Sequence, residues 1–422
     1  MTSRTDAPTL RGVRCRSCDG VGLEPVLSLG RLPLPDAFVP ASRLNRPDER
    51  FPLDVAFCPS CSLMQLVGDV PAERMFVENY LYFSSFSDQL LDHSREHAEQ
   101  LIADRGLHAG SLVVEVGSND GYLLRSFVDA GIPAVGVDPA PQPSAAAQQR
   151  GVPTIQRFFG RQVARQLRDE RGGADVILAN NVLAHVPDLA DVVGGLALLL
   201  ADDGVLHVEN PYVRELIDRC QFDTIYHEHV CYYSCTSIDR LMQRHGLHLN
   251  DVEYFPDLHG GTLRWIISHQ AGRTARLEDL LVDEVERGLT SFEYYRGFGA
   301  RVVDLRDRLI CLLTQLRADG SRMAAYGAAA KGTVLLNFVG IGTDVLDAVV
   351  DRNVHKHGHF MPGVRVPIVG PEYLLEAAPE YTLLLAWNFA DEIVAQQAEY
   401  IRRGGRFIRP APTPQVLSPE SP

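Results

Sequence analysis

Between Phe222 and Ser234 the chain reads FDTIYHEHVCYYS, with two histidines, one glutamate and three tyrosines in one short run. Titratable rings at this density serve either a metal ion or a proton transfer. A zinc hydrolase sets its histidines at i and i+4 on a helix, whereas His227 and His229 are two apart and converge only from an extended segment. No third ligand lies near them in sequence. Imidazole titrates near neutrality and suits a general base. The reading without chemistry is an aromatic loop packed between domains, with its histidines satisfied.

A second set of chemical residues lies near the start. CRSC (Cys15, Cys18) and CPSC (Cys58, Cys61) are two CxxC pairs separated by a proline-rich stretch that includes LGRLPLPDAFVP. Each pair fits a tight turn that presents two thiolates, and four thiolates close a tetrahedral zinc site with no open position. The expectation is a structural zinc, not a catalytic one, that staples a small domain over residues 1–72. Cys220, Cys231, Cys235 and Cys311 show no such spacing and read as core or incidental thiols.

These groups need elements to position them. SLVVEVGSNDGYLLRSFVDAGIPAVGVDPA reads as a strand (Leu112–Val116), a glycine turn, a helix and a second strand (Ala134–Val137) ending at Asp138. This is a βαβ opening, in which the turn lets a ligand approach the backbone and the acid after the second strand can accept a ribose diol. EVGSNDGYL departs from the dinucleotide fingerprint and has the E/DxGxxxG form of S-adenosylmethionine (SAM) methyltransferases. ADVILANNVLAHVPDLADVV and GVLHVENPY continue the alternation, and LHLNDVEYF with GTLRWIISHQ reads as a closing antiparallel hairpin. Alternating strands and helices imply a parallel sheet over residues 73–272, with ligands at the carboxyl ends of its strands. An amphipathic helix at Asp88–Ala103 precedes it.

Residues 273–319 are charged and helical, a connector. Residues 320–422 read as four strands with helices between them, a smaller Rossmann-like unit. Its GAAAKGT nearly makes a P-loop, but the lysine precedes the second glycine, which excludes ATP or GTP hydrolysis on this motif. A glycine turn at a helix N-terminus still offers amides to phosphate. The fold class is therefore α/β in three parts: a zinc-binding domain, a central methyltransferase-like domain and a Rossmann-like C-terminal domain.

The chain has 422 residues, 45% of them hydrophobic and 22% charged, as in folded soluble proteins of two or three domains. A formal net charge of −14 argues against nucleic acid as a partner, since phosphates need a basic stripe. No apolar leader and no long apolar run occur, so membrane insertion and secretion are not signalled and a cytoplasmic location is expected. Without a long heptad pattern, a monomer is expected.

The ordered motifs CxxC…CxxC, VVEVGSNDGYLL, NNVLAHV, YHEHVCYYS, LHGGTLR and YGAAAKGTVLLNF closely resemble the nucleotide-sugar C-methyltransferases of bacterial deoxysugar biosynthesis, most of all those of the tetronitrose pathway that act at C-3. The resemblance spans residues 13–412. It implies SAM and zinc as cofactors and a TDP-linked 4-keto-deoxysugar as substrate. By motif position it implies His229 as the base that removes the acidic proton beside the ketone. Tyr226 becomes a donor to the keto or enolate oxygen and Glu228 a carboxylate that holds an imidazole in its tautomer, roles that are exchangeable between the two. His185 has a supporting place near the sugar. Glu115, Gly117, Asn119, Asp138 and Asn180 are the implied cofactor contacts; Tyr80, His227 and Lys331 are the implied substrate contacts. Methylation at another carbon, such as C-5, fits the same motifs. A zinc-ribbon scaffold that binds SAM without turnover is the non-enzymatic alternative, and the joint presence of EVGSNDG, Asp138 and YHEH argues against it.

Overall fold

The computed structural model describes residue 10, residues 12–77 and residues 82–417. Tyr80, one of the implied substrate contacts, lies outside the described residues.

Two short turns open the chain. In each, the first cysteine's amide and carbonyl close a knuckle: Cys15 N–H donates to Gly20 O at 2.9 Å and Cys15 O accepts from Asp19 N–H at 2.9 Å, while Cys58 N–H donates to Leu63 O at 2.8 Å and Cys58 O accepts from Ser62 N–H at 2.8 Å. Asp19 and Ser62 turn the backbone through the left-handed region, with φ of 57° and 61°. The result brings all four sulfurs within 4.8 Å of one another. Cys15 and Cys61 Sγ are 3.4 Å apart and Cys18 and Cys58 Sγ 3.6 Å. A tetrahedral ion at Zn–S of about 2.3 Å needs S–S distances of about 3.8 Å, so the donor set fits zinc. All eight cysteines are free thiols in this structure, and Cys220, Cys231 and Cys235 are buried as the sequence suggests.

The knuckles rest on an antiparallel sheet of Glu24–Pro33, Arg50–Phe57, Met64–Leu66 and, from far along the chain, Cys231–Tyr232. The last strand follows the YHEH sequence directly. It pairs Cys231 with Gln65 and Tyr232 with Met64, a contact that no local pattern announces.

The central sheet runs His248–Phe255, Thr262–Ser268, Leu200–Pro211, Ala174–Asn180, Val113–Val116, Ala134–Val137 and Thr154–Ile155 in spatial order. Its last five strands are parallel and the hairpin at the other edge is antiparallel, as expected. Val113–Val116 is buried along its whole length, as a central parallel strand covered on both faces must be. The helix Asp88–Arg105 starts where the Ser87 side chain accepts from Leu90 N–H and stops at Gly106, whose φ of 59° a β-carbon would oppose.

The third sheet has six strands, Ile368–Val369, Val349–Val350, Met323–Tyr326, Tyr381–Leu384, Arg406–Arg409 and Gln415–Val416. The sequence announces four; Ile368–Val369 and Gln415–Val416 are two-residue edge strands, too short to carry a periodic signal. A further ladder joins His359–Phe360 to Val39–Pro40, tying this unit to the zinc-bearing one. The helical stretch between the second and third sheets is packed rather than merely connecting. Tyr295 stacks on Phe57 of the first sheet with centroids 4.6 Å apart, and the buried Glu284 carboxylate accepts from Cys235 N–H, Thr236 N–H, Thr236 Oγ1 and Tyr212 Oη. Among the described residues no helix is long and apolar enough to cross a membrane.

We expect one zinc per chain on Cys15, Cys18, Cys58 and Cys61, because the closed set of thiolates leaves no open position. Elemental analysis should find it, and Cys58→Ser should lose the metal and lower the thermal unfolding midpoint. A chain that carries no zinc, or one whose spectrum shows an iron–sulfur chromophore, would overturn this.

Candidate active site

A cleft of about 510 Å³ is lined by the strand ends of the central sheet and by loops and helix starts from the segments on either side, among them Asp36, Tyr226, His229, Lys331 and Phe389. The central sheet supplies the ends of its parallel strands. After Val113–Val116 the chain turns through Gly117 at φ 68° and Asn119 at φ 48°. A β-carbon on Gly117 would stand 2.5 Å from Val182 Cγ2, so only glycine fits between the two strand ends. Asp138 follows Ala134–Val137, and its carboxylate accepts from Asn119 N–H and Ala140 N–H, both at 2.8 Å. Burial raises its pKa, while those two amides pull it down. Asn180 ends the next strand with its Oδ1 buried and unpartnered among the described residues.

Gly117, Asn119, Asp138 and Asn180 thus line the cleft as the sequence reading expects and could hold a cofactor there. Glu115 does not. It sits on the fully buried strand below, with both carboxylate oxygens unpartnered, and burial and then the charges of Asp138, Asp120 and Glu209 raise its pKa well above the usual range. The acidic position of the motif therefore lies beneath the turn and not on the wall.

The YHEH segment forms the opposite wall. Its turn closes by His229 N–H to Tyr226 O at 2.9 Å, and Val230 N–H donates to Ala184 O at 2.7 Å. His229 Nδ1 is 3.2 Å from Thr224 O, and a carbonyl can only accept, so Nδ1 carries the proton. Nε2 is then the basic nitrogen, and it receives the Tyr226 hydroxyl at 2.7 Å. His185 is set by the same logic, its Nδ1 donating to Glu228 O at 2.9 Å, and its ring meets His229 edge-on at 4.7 Å. Burial holds both imidazoles neutral: His185 is pushed down to about 4, and His229 falls well below its ordinary value, first by burial and then by His185.

Two expected roles change here. The Glu228 carboxyl does not hold an imidazole, because backbone carbonyls already do so; it lines the cleft beside Asp36, with which it is hydrogen bonded. Burial, followed by the Asp36 charge, raises the Glu228 pKa well above normal, so Glu228 keeps the shared proton. His227 does not face the cleft. It turns to the zinc-bearing sheet, where Nε2 donates to Phe51 O at 3.2 Å, and burial lowers its pKa to about 4.

The third sheet closes the site. Lys331, at the start of the helix Ala330–Val339, lines the cleft with Nζ 2.5 Å from Asn388 Oδ1 and 4.6 Å from the centre of the Trp387 ring. Burial lowers its pKa to about 8, against the pull of Asp223. Asp223 accepts from Trp387 Nε1 at 2.7 Å and so fastens the start of the loop to this unit. Sequence reasoning misses Asp36, Lys356 and His259, all on the wall. The first two lie in stretches with no motif of their own; His259 stood in plain view in LHGGTLR.

Residues 15–76 match a zinc binding domain family, residues 91–252 a methyltransferase domain family and residues 257–412 the C-methyltransferase C-terminal domain family. The chain is similar to the C-methyltransferase NovU of Streptomyces niveus, with 37% identity over 411 residues, 96% of this chain and 97% of that one. It is also similar to a ubiquinone biosynthesis O-methyltransferase of Rhodopseudomonas palustris, 27% identical over 100 residues, 24% of this chain and 40% of that one. Among solved structures, magnesium protoporphyrin IX methyltransferase from Synechocystis PCC 6803 with bound SAM matches 47% of this chain and 89% of its own at 18% identity, with a TM-score of 0.34. The molecule is a SAM-dependent methyltransferase with a zinc-binding N-terminal domain. More narrowly, the chain belongs to the sugar C-methyltransferase family that its motifs resemble, together with NovU.

If Asp138 holds the ribose of SAM, Asp138→Ala should weaken SAM binding by about 1.5–3 kcal/mol, the range for a hydrogen bond to a charged group. Calorimetric titration reads this directly. Unchanged affinity would put the ribose elsewhere.

Proposed function

We propose that this enzyme methylates carbon, at C-3, of a TDP-linked 4-keto-deoxysugar. The observation that carries the reading is the His229–Tyr226 pair: a neutral imidazole with its protonated nitrogen fixed on a backbone carbonyl and its basic nitrogen directed, through a tyrosine hydroxyl, into the cleft. A ketone acidifies the neighbouring C–H, and carbon methylation needs a base that removes this proton while a donor meets the developing enolate oxygen.

In this mechanism the sugar enters between the YHEH wall and the third sheet. The Tyr226 O–H turns from His229 Nε2 to the keto oxygen, which frees the nitrogen. His229 Nε2 takes the proton from C-3 as the electron pair moves into the enolate, whose oxygen Tyr226 stabilises. Bound SAM supplies an electrophilic methyl group. With SAM bound, its methyl would pass from sulfur to the enolate carbon, and His229 would return its proton to solvent. His185 packs against His229 and keeps its ring in plane. Lys331 and Lys356 are the cations on the wall and suit the substrate's phosphates. On the other side, Gly117, Asn119, Asp138 and Asn180 hold the cofactor.

Incubation of the enzyme and SAM with a panel of TDP-4-keto-sugars, with the new methyl located by NMR, tests the substrate and the position together. A panel with no methylated sugar would overturn the reading. His229→Asn should lower kcat by about 10²–10⁴, the usual worth of a general base, with SAM affinity intact. The same variant should lose solvent exchange of the acidic C–H; exchange at the wild-type rate would assign the base to another residue. The pH profile offers an independent check. A base must be unprotonated, and the pKa of His229 lies well below the ordinary histidine value, first because of burial. The acid limb of kcat/KM should therefore fall below the usual 6.5 of an exposed imidazole, and activity should be flat across neutral pH.

A further inference from the structure

His259 has no part in the mechanism above, yet its geometry is the most constrained on the wall. It opens the tip of the hairpin between His248–Phe255 and Thr262–Ser268 with φ of 51°, and Gly260 and Gly261 follow at 86° and 115°. A run of left-handed backbone that includes a non-glycine residue is strained, and such strain persists where the surroundings impose it. Here the turn is pressed onto the segment below. A β-carbon on Gly261 would stand 2.4 Å from Glu215 Cγ and one on Gly260 2.9 Å from Gln221 Nε2, while Gln221 Nε2 donates to Gly260 O at 2.9 Å.

So held, His259 lines the cleft, its ring edge-on to Phe389 at 6.2 Å. Its Nε2 is buried and has no hydrogen-bond partner among the described residues. Burial, and then Lys331, push its pKa down to about 4, so the imidazole is neutral at pH 7. A buried polar nitrogen without a partner, on a strained backbone, destabilises the empty protein. A ligand atom would relieve that.

The position selects the ligand. In the sheet, Thr262–Ser268 is four steps from Ala134–Val137, which ends at Asp138. At about 4.8 Å per step this is about 19 Å, on the far side from the cofactor's ribose. The charge that acts on it most strongly is that of Lys331, which lines the same cleft on the proposed substrate side. We propose that His259 is a substrate-binding residue whose Nε2 hydrogen-bonds an oxygen of the nucleotide sugar at the floor of the cleft beside Lys331. This rests on the substrate class proposed above.

Two variants test it. His259→Asn keeps a residue that tolerates the left-handed backbone but is too short to reach; His259→Phe keeps the ring against Phe389 and removes the nitrogen. Both should raise KM for the keto-sugar about tenfold, the scale of one lost hydrogen bond to a ligand, and leave SAM affinity unchanged. The thermal unfolding midpoint of His259→Phe should stay near that of wild type, because the ring contact with Phe389 is kept while the unpaired nitrogen is removed. An unchanged KM in both variants overturns the proposal for His259, and a lower melting temperature with unchanged KM assigns the residue to packing alone. If the wild type binds no TDP-4-keto-sugar, the substrate reading itself falls, an outcome distinct from a wild type that binds and variants that bind equally.

Discussion

The pairing of Cys231–Tyr232 with Met64–Leu66 makes the histidine-bearing loop the fourth strand of the zinc-bearing sheet, and the site depends on it. Just before that strand, Leu66 N–H donates to Val230 O at 2.9 Å. One residue before Leu66, Gln65 reaches back to the knuckle, accepting Arg16 N–H at 2.8 Å and donating to Arg14 O at 3.2 Å. The chain of contacts from the cysteines to His229 is thus short and made of backbone or buried polar bonds. A zinc on the four thiolates would bear on the loop through these contacts, since it would fix the knuckle that Gln65 grips and Gln65 pairs with Cys231. His227 adds a clip to Phe51 O and Asp223 another to Trp387, so the loop is fastened to the first and third sheets at once. A loop held at so many points keeps a reactive geometry without needing regular structure of its own.

Burial decides the charge states in this cleft more than any pairwise contact does. It is the first cause of the shift at His185, His229, His259, Tyr226, Glu228 and Lys331. The consequence bears on a choice left open by the geometry, since either partner of the Tyr226–His229 hydrogen bond could in principle act as base. For Tyr226 burial, the largest cause, and the carboxylate of Asp36 raise the pKa, so the phenol keeps its proton. For His229 burial and His185 act to lower it, so the imidazole is unprotonated. Each group is held in the form that its proposed part requires, donor for the tyrosine and acceptor for the histidine.

What the sequence made legible was local. The CxxC turns, the strand–turn–helix at EVGSNDG and the closing hairpin are encoded within a few residues by thiol spacing, glycine and alternation, and the structure builds them where expected. What it hid depends on partners far along the chain. That Glu228 meets Asp36, that His227 turns to Phe51 and that Cys231–Tyr232 joins Met64–Leu66 all follow from contacts across well over a hundred residues. No spacing rule reports which way a side chain in an irregular turn will face. Glu115 is a different failure. Its motif is real, but a parallel strand covered on both faces has no solvent side, and the carboxylate is trapped below the ligand surface.

That trapped carboxylate shows how the two halves of the cleft differ. Asp138 and Asp120 lie close enough to Glu115 for their charges to add to the burial that raises its pKa, and unpartnered oxygens remain on Glu115, Asp120 and Asn180. The strand ends therefore present the Asp138 carboxylate and the Asn180 carbonyl oxygen to the cleft, with Glu115 beneath them, and a cofactor that carries a sulfonium and an ammonium suits such acceptors. Across the cleft the wall carries Lys331, Lys356 and a neutral His259, which suits the opposite charge, a phosphorylated sugar. On the function proposed above, the two ligands differ in sign and would take different sides of the cleft, with the YHEH loop on the wall that faces the strand ends. On that reading, a methyl donor at the strand ends and an acceptor beside the lysines would meet at that loop, where His229 has its protonated nitrogen fixed on a backbone carbonyl and its basic nitrogen on the Tyr226 hydroxyl.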